Sequence, residues 1–243
     1  MNEKLHRAAH IWEIKELESL DEKRMMKELI SDISHQTKTP IANQKVYLEL
    51  LGTEPMTEKA VGFLDSMEHQ TDKLEFLFQS LVKTSRLETG IIHIQRENQN
   101  LTETLLKAVA AIVPAASHKQ IELFAECNES VILPHDKKWT EEAVFNLLDN
   151  AVKYTEAGGK VQITVTRQEI FTVVSIKDTG KGIAEERQAQ IFTRFYREPE
   201  VHDKEGIGIG LYLARKIVEL QNGYIEVKSE PGCGADFRIY LPN

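Results

Sequence analysis

Two kinds of residue that handle phosphate occur in this chain of 243 residues. Near the N-terminus, His35 is followed by Gln36 and, one helical turn later, by Thr39 and Pro40. A neutral imidazole is a competent nucleophile toward an in-line phosphoryl group, and a proline loosens the helix after it. Far downstream, amide side chains and two glycine-rich segments have the chemistry of a nucleotide pocket. The chain therefore carries a candidate phosphoryl acceptor and a candidate donor site.

The amide side chains lie on a predicted helix over residues 136–154. Asn146, Asn150 and Tyr154 step by four along one side of it. The carbonyl oxygen of asparagine is a hard ligand that suits Mg²⁺, and Lys153 can meet phosphate charge. Taken alone, this pattern is typical of an ordinary amphipathic helix, and only the neighbouring glycine segments favour a nucleotide site.

The first glycine segment opens with Asp178, which directly follows a strand predicted to end at Lys177. Its carboxylate can accept a hydrogen bond from an exocyclic amine such as that of adenine. Gly180 and Gly182 permit tight turns beside a ligand. By itself, Asp-Thr-Gly is typical of a plain turn.

The second glycine segment, Gly206, Gly208 and Gly210, leads directly into a helix predicted from Leu211. Backbone N–H groups at such a positive helix end can approach phosphates. No Lys-Ser/Thr pair follows and no strand immediately precedes, so this is neither a P-loop nor a dinucleotide fingerprint. Residues 196–205 before it are polar and charged, which fits a mobile lid and a simple surface loop equally well.

Composition limits the class of protein. With 30 basic and 38 acidic residues, the net charge of -8 argues against nucleic acid or an anionic membrane surface as the main partner. Cys127 and Cys233 have no metal-like spacing and fit small buried residues in a reducing compartment. Residues 1–20 contain no long apolar run, so we expect neither a signal peptide nor a membrane span, and a cytoplasmic chain.

Apolar periodicity predicts two halves of different architecture. Helical stripes run through residues 11–40 and from Val61 to Leu87, separated by a break at residues 52–55. Because a hairpin buries one side of each helix, we expect two copies to pair as a dimeric four-helix bundle. Beyond Ile91, strands and helices alternate, which predicts a two-layer α/β sandwich and an α+β chain overall. Strands are expected near residues 120–124, 161–165, 171–176 and 237–241, and helices near 102–113, 136–154 and 211–220.

Six ordered motifs carry a family resemblance. They are residues 34–40 (H-box), 85–90 (exit from the second bundle helix), 146–154 (N-box), 178–182 (G1 box), 191–197 (F-box) and 206–211 (G2 box). Over residues 26–243 the chain resembles the cytoplasmic part of a bacterial sensor histidine kinase. Six motifs in order are far more specific than any one of them.

The resemblance implies three regions and a function. These are a coiled-coil signalling helix (1–25), a dimerisation and histidine-phosphotransfer domain (26–90), and a catalytic ATP-binding domain of Bergerat fold (91–243). It implies an ATP-dependent autokinase that passes its phosphoryl group to an aspartate of a response regulator, and that in many members also removes it. A homodimer, ATP and Mg²⁺ are implied, with a membrane anchor upstream of this chain.

Site residues are carried over by motif. The resemblance implies His35 as phospho-acceptor, Thr39 as orienting the hydrolytic water, and Asp178 as reading adenine. The others implied are Asn146 and Asn150 for Mg²⁺, Lys153 and Arg197 for phosphates, Tyr154 near the base, and Gly180, Gly182, Gly206, Gly208, Gly210 and Leu211 around the nucleotide.

One position departs from the family pattern, because Gln36 stands where the family usually has Glu or Asp. If that carboxylate acts as a general base, its loss slows transfer by ~10²-fold or more. Alternatively, Gln36 holds the imidazole tautomer and solvent takes the proton. We expect retained kinase activity; a non-catalytic ATP-sensing dimeric scaffold and a mainly phosphatase protein using Thr39 and Gln36 stay open as alternatives. A plain ATPase is disfavoured, since Asn146 stands where its acidic base is expected.

Overall fold

The computed structural model describes residues 30, 31, 33, 34, 36–126, 130–198 and 208–243. It divides into two units, Met1–His93 and Ile94–Asn243, and each is described by itself. Several sequence predictions lie outside the described residues: the signalling helix of residues 1–25, His35, Gly206, Cys127 and most of the polar segment before the second glycine run. Among the described residues, no helix has both the length and the apolar content that crossing a membrane requires.

The first unit is a helical hairpin. Helix α1 covers residues 36–52, with residues 30, 31, 33 and 34 also helical, and α2 is Glu58–Glu88. Thr57 caps α2, since its side chain accepts a hydrogen bond from the N–H of Ala60 at 3.3 Å. Ile41 and Leu48 are buried on α1. The predicted helical hairpin is therefore confirmed.

An ion-pair cluster links the two helices. Lys45 Nζ on α1 lies 2.8 Å from Asp72 Oδ1 and 2.6 Å from Glu75 Oε2 on α2. Hydrogen bonds to Asp72 and then Glu75 raise the pKa of Lys45 above its ordinary value. Because these groups are partly exposed, they add little stability, but they specify which turns of the two helices face each other.

Large apolar side chains remain exposed along the hairpin. Phe63 is 61% exposed and Phe76 is 60% exposed, far more than a packed core side chain would be. The others exposed on the two helices are Val46, Tyr47, Leu50, Leu51, Val61, Met67, Leu74 and Leu81. One hairpin alone therefore leaves much of its apolar surface uncovered.

The second unit contains two sheets. Strands β1 (Glu97–Asn100) and β3 (Ile132–His135) form an antiparallel pair. The strands of the main sheet are β2 (Glu122–Glu126), β4 (Lys160–Arg167), β5 (Phe171–Asp178), β6 (Tyr224–Ser229) and β7 (Ala235–Pro242). Their order in the sheet is β2-β4-β5-β7-β6, with β2 parallel to β4 and the remaining pairs antiparallel.

Three helices form the second layer: α3 (Leu101–His118), α4 (Lys137–Tyr154) and α6 (Gly210–Glu219). Burial alternates along β7, with every second residue buried, as expected for a strand packed on one face only. Ile163, Ile176 and Phe237 are adjacent across three strands, and all are buried. A short α5 (Glu185–Gln188) and a 3-10 turn (Gln190–Phe192) follow β5. The two-layer α/β sandwich is confirmed.

Some element bounds differ from expectation. Helix α3 was expected to end near Val113 but continues through Pro114 to His118. Ile112 and Ala116 are 2% and 1% exposed, so packing on both sides of the proline maintains the helix. Strands β1, β3 and β6 were not predicted.

Candidate functional site

Helix α4 supplies the first side of the candidate site. Asp136 caps its start by accepting the N–H of Trp139 at 3.1 Å. Asn146 Nδ2 donates to Glu142 O at 2.7 Å. This bond uses an amide hydrogen and leaves the carbonyl oxygen Oδ1 for another group. A hard oxygen on a half-buried amide fits a Mg²⁺ ligand.

The start of α6 lies directly against that oxygen. A Cβ added to Gly210 would lie 2.8 Å from Asn146 Oδ1, closer than carbon and oxygen normally approach. Only a residue without a side chain lets the N-terminal end of α6 come this near to α4. The N-box and the G2 box therefore meet at Asn146.

Gly208 joins the G2 box to the F-box. Its backbone has φ +75, and its carbonyl accepts the N–H of Phe195 at 2.9 Å. A Cβ here would collide with the carbonyl of Tyr196. Phe195 itself has φ 64, an uncommon conformation for a residue with a side chain. This backbone pairing holds the F-box next to the start of α6.

Asp178, the last residue of β5, is only 4% exposed. Its Oδ1 accepts the N–H of Gly180 at 2.8 Å and that of Ala235 at 3.2 Å. Burial raises the pKa of Asp178, and these two N–H groups oppose the rise. In the part of the chain that the structure describes, no group hydrogen-bonds to Oδ2. The carboxylate is thus fixed through one oxygen, and the other is available to an amine.

The G1 turn is held between α4 and the β6–β7 hairpin. A Cβ added to Gly180 would lie 2.6 Å from Tyr154 O, at the end of α4. Gly182 has φ +70, and a Cβ there would collide with Glu230 O in the hairpin. Both glycines therefore permit backbone contacts that place Asp178 beside the last turn of α4.

Positively charged side chains lie close to the ring of Tyr154. The ammonium groups of Lys153 and Lys181 lie 5.1 Å and 5.4 Å from the centre of its ring. Burial raises the pKa of Tyr154, and the charge of Arg197 opposes the rise, so Arg197 also acts on this ring. Such a concentration of positive charge suits a polyanionic ligand with an aromatic base.

An ion pair that sequence reasoning missed ties the G1 turn to the residues after the F-box. Lys181 Nζ contacts Glu198 Oε2, and Arg187 lies 3.8 Å from Glu198 Oε1. The Glu198 side chain is only 9% exposed. Lys181 belongs to the G1 box, but Glu198 lies outside every motif, and the only hint of the pair in the sequence is the opposite charge of the two residues. The G1 turn is thus linked to the residue after the F-box by an ion pair whose carboxylate is nearly buried.

The described residues bring together most of the predicted nucleotide residues. Asn150 and Leu211 are half-buried on α4 and α6. In the first unit, Gln36 and Thr39 are exposed on α1. His35 and Gly206 lie outside the described residues. Ala235, which sequence reasoning missed, follows the Pro231–Gly234 turn, and the glycines of that turn are the signal that could have indicated it.

Four motifs brought together on an α/β sandwich define a class of nucleotide-binding domain. Residues 135–243 match the family described as histidine kinase-, DNA gyrase B- and HSP90-like ATPase. Residues 25–90 match the His Kinase A (phospho-acceptor) domain. The second unit is accordingly an ATP-binding domain of this class.

The chain is also similar in sequence to individual sensor proteins. Sensor protein kinase PmrB of Pseudomonas aeruginosa is 32% identical over 216 residues, which cover 88% of this chain and 45% of PmrB. Sensor protein SrrB of Staphylococcus aureus is 31% identical over 227 residues, which cover 90% of this chain and 38% of SrrB. The chain thus spans less than half the length of these relatives.

A solved structure shares the fold. Full-length ShkA, crystallised in complex with AMPPNP, aligns with a TM-score of 0.76 at 24% identity, over 89% of this chain and 46% of ShkA. With both domain families matched in order, the chain belongs to the two-component sensor histidine kinases.

Proposed function

We propose that this chain is an ATP-dependent histidine autokinase that phosphorylates His35 and passes the phosphoryl group to an aspartate of a response regulator. The observation that carries this proposal is the contact of Gly210 with Asn146, together with that of Gly180 with Tyr154. These two contacts join the G2 and G1 boxes to α4. They leave the oxygens of Asn146 and Asp178 in one neighbourhood, as a bound nucleotide needs.

In this proposal Asp178 recognises the base of ATP. Its Oδ1 is occupied by two backbone N–H groups, so Oδ2 accepts the exocyclic amine of adenine. Tyr154 packs near the base, and Gly180, Gly182 and Leu211 line the pocket. A buried carboxylate that meets an amine discriminates strongly, because a base without a donor there leaves the carboxylate unpaired.

The phosphates are held by amides and cations. Asn146 and Asn150 are the proposed Mg²⁺ ligands, and Lys153 and Arg197 the proposed phosphate contacts. Bound Mg²⁺ would neutralise phosphate charge as the leaving group departs. Backbone N–H groups of the segment from Gly206 to Gly210 supply further donors.

The transfer step forms one bond and breaks one. A ring nitrogen of His35 attacks the γ-phosphorus, and the bond from that phosphorus to the β–γ bridging oxygen breaks, so that ADP leaves. The imidazole loses its other N–H proton. Gln36 cannot take that proton, so we assign it a role in holding the tautomer while solvent accepts the proton. An unchanged autophosphorylation rate in Gln36→Glu would count against any proton-linked role for this position.

The functional unit is proposed to be a homodimer. The exposed apolar side chains of the hairpin, among them Phe63 and Phe76, are the surface that a second hairpin would cover in a four-helix bundle. The division of the chain at residue 93 supports a phosphotransfer domain of residues 26–90 and a catalytic domain of residues 91–243. A monomeric mass at micromolar concentration would contradict the dimer.

The partner is a receiver domain that presents an aspartate. Thr39, exposed on α1, is the proposed residue for orienting water when the phosphoryl group is removed from that partner. In Thr39→Ala, autophosphorylation should continue while dephosphorylation of the receiver slows. Equal dephosphorylation rates in the two proteins would remove Thr39 from that step.

The experiment that tests the proposal is incubation with radiolabelled ATP and Mg²⁺. The wild-type chain is compared with His35→Ala and with His69→Ala, a control histidine exposed on α2. Label should appear on the wild type and the control, should be labile to acid and stable to alkali, and should be lost with His35. Tight ATP binding without label would indicate a nucleotide-sensing scaffold instead.

A further inference from the structure

Lys119 is not part of any motif of the family, yet its ammonium group contacts the helix that carries the nucleotide residues. Lys119 Nζ donates to Val152 O at 2.8 Å, to Lys153 O at 3.0 Å and to Thr155 O at 2.7 Å. An ammonium group has three hydrogens, so these three bonds use them all. The three acceptors belong to the last turn of α4 and its C-cap.

The end of a helix leaves its last carbonyls without partners inside the helix. In α4, the N–H of Thr155 satisfies Ala151 O at 3.1 Å, and Lys119 satisfies the next two carbonyls. The positive charge of Lys119 also lies at the negative end of the helix dipole. Lys119, the C-cap residue of α3, therefore also caps α4, 33 to 36 residues away in the sequence.

The capped turn contains two residues that the proposed function assigns to the nucleotide. It carries Lys153 and Tyr154, and the carbonyl of Tyr154 lies against Gly180 of the G1 turn. The backbone of Lys119 also contacts this region, since its carbonyl accepts the N–H of Gly158 at 3.4 Å. A group that fixes this turn therefore also fixes where Lys153, the proposed phosphate contact, lies relative to Asp178, the proposed contact of the base.

We propose that Lys119 is a positioning residue for ATP, acting through the last turn of α4. It does not touch the nucleotide; it holds Lys153, Tyr154 and the G1 turn in the arrangement that binds it. This inference rests on the proposed function, because it assumes that Lys153 and Asp178 bind ATP.

The test compares four versions of the full chain: wild type, Lys119→Met, Lys119→Arg and Lys107→Met. Lys107 is exposed on α3, the helix whose C-cap is Lys119, so it controls for loss of one positive charge. Calorimetry gives the Kd for ATP with Mg²⁺ at a temperature where circular dichroism shows each protein folded. Autophosphorylation gives KM for ATP and the rate at saturating ATP.

In Lys119→Met we expect the Kd and KM for ATP to rise about tenfold, because misplaced binding groups lose affinity without losing their chemistry. The rate at saturating ATP should stay within about twofold of wild type, again because only positioning is lost. Lys119→Arg should recover most of the affinity, since it keeps the charge and several donors. Lys107→Met should match the wild type.

A lower melting temperature with an unchanged Kd in folded Lys119→Met would overturn the inference, since it would show a purely structural cap. If Lys119→Met does not fold, the comparison passes to Lys119→Gln, which keeps a donor and loses the charge; wild-type affinity there would equally overturn it. Failure of the wild-type chain to bind ATP would refute the proposed function instead, so the two failures are distinguishable.

Discussion

Replacement of Asp178 by asparagine should change which nucleotide the site prefers. The Oδ1 position is held by the N–H groups of Gly180 and Ala235, which need an acceptor. An asparagine must therefore keep its carbonyl oxygen there and place its NH₂ group where Oδ2 was. The exocyclic amine of adenine is also a hydrogen-bond donor, so in the variant two donors would lie opposite each other.

The expected loss of ATP affinity follows from the change in this one buried contact. A hydrogen bond to a charged group contributes about 1.5–3 kcal/mol, and a buried donor left without a partner costs about 1–3 kcal/mol more. Together these terms predict that ATP binds about 10²- to 10⁴-fold more weakly. Guanine carries an acceptor oxygen where adenine carries its amine, so the same contact should favour GTP. The ratio of ATP to GTP affinity should fall by ~100-fold or more.

Unlike the affinity for ATP, the stability of the folded protein should not fall in Asp178→Asn. Burial raises the pKa of Asp178, so the folded protein holds this proton more tightly than the unfolded chain does. The stabilisation that comes from this tighter proton binding is present at low pH and is lost as the pH rises through the pKa of Asp178 in the folded protein. At neutral pH the asparagine variant should therefore be at least as stable as the wild type, and its advantage should shrink as the pH is lowered toward about 4.

The assay is competition between ATP and GTP, measured by calorimetry on wild type, Asp178→Asn and the control Asp65→Asn, an exposed residue of α2. Thermal unfolding on the same samples checks that the variant is folded. Wild-type ATP affinity in folded Asp178→Asn would refute the assignment of Oδ2 to the adenine amine.

Three further predictions test other contacts. In Gly210→Ala the new methyl group would lie 2.8 Å from Asn146 Oδ1 and should displace the amide. ATP binding should weaken about tenfold in the presence of Mg²⁺ and by less in its absence, which titrations in the two buffers measure. Burial lowers the pKa of His135 below its ordinary 6.5, so the stability of the wild type should fall as the pH drops below that value. In urea titrations, the free energy of unfolding of His135→Gln should depend less steeply on pH. The same pH dependence in both proteins would contradict this prediction. Lys181→Glu and Glu198→Lys should each destabilise by about 2 kcal/mol, because each variant puts like charges side by side at the nearly buried position 198. The double exchange should recover part of this loss in thermal melts, whereas additive losses would argue against the pair.

Much of the fold was predictable where local periodicity is strong. The helical hairpin and strands β4, β5 and β7 follow from helical stripes and from alternation. Strand β1 has the sequence Glu-Asn-Gln-Asn, which contains no strand-forming residue, and it exists because its backbone pairs with β3. Helix α3 was expected to end near Val113, but it continues through Pro114 because residues on both sides of the proline are buried.

The candidate site was predictable only in its motifs. Glycines and amides were recognised because each motif is contiguous in the sequence. The groups that hold the motifs in place come from afar: Ala235 lies 57 residues from Asp178, and Lys119 lies more than 30 residues from the turn it caps. Such partners are set by the packing of α3, α4 and the sheet, which no local pattern encodes.

The most direct test of the account is the intact mass of the chain after incubation with ATP and Mg²⁺, measured without acid on wild type, His35→Ala and Asp178→Asn. The account predicts one added phosphoryl group on the wild type, none on His35→Ala, and strongly reduced addition on Asp178→Asn. A phosphoryl group on His35→Ala equal to that on the wild type would contradict it.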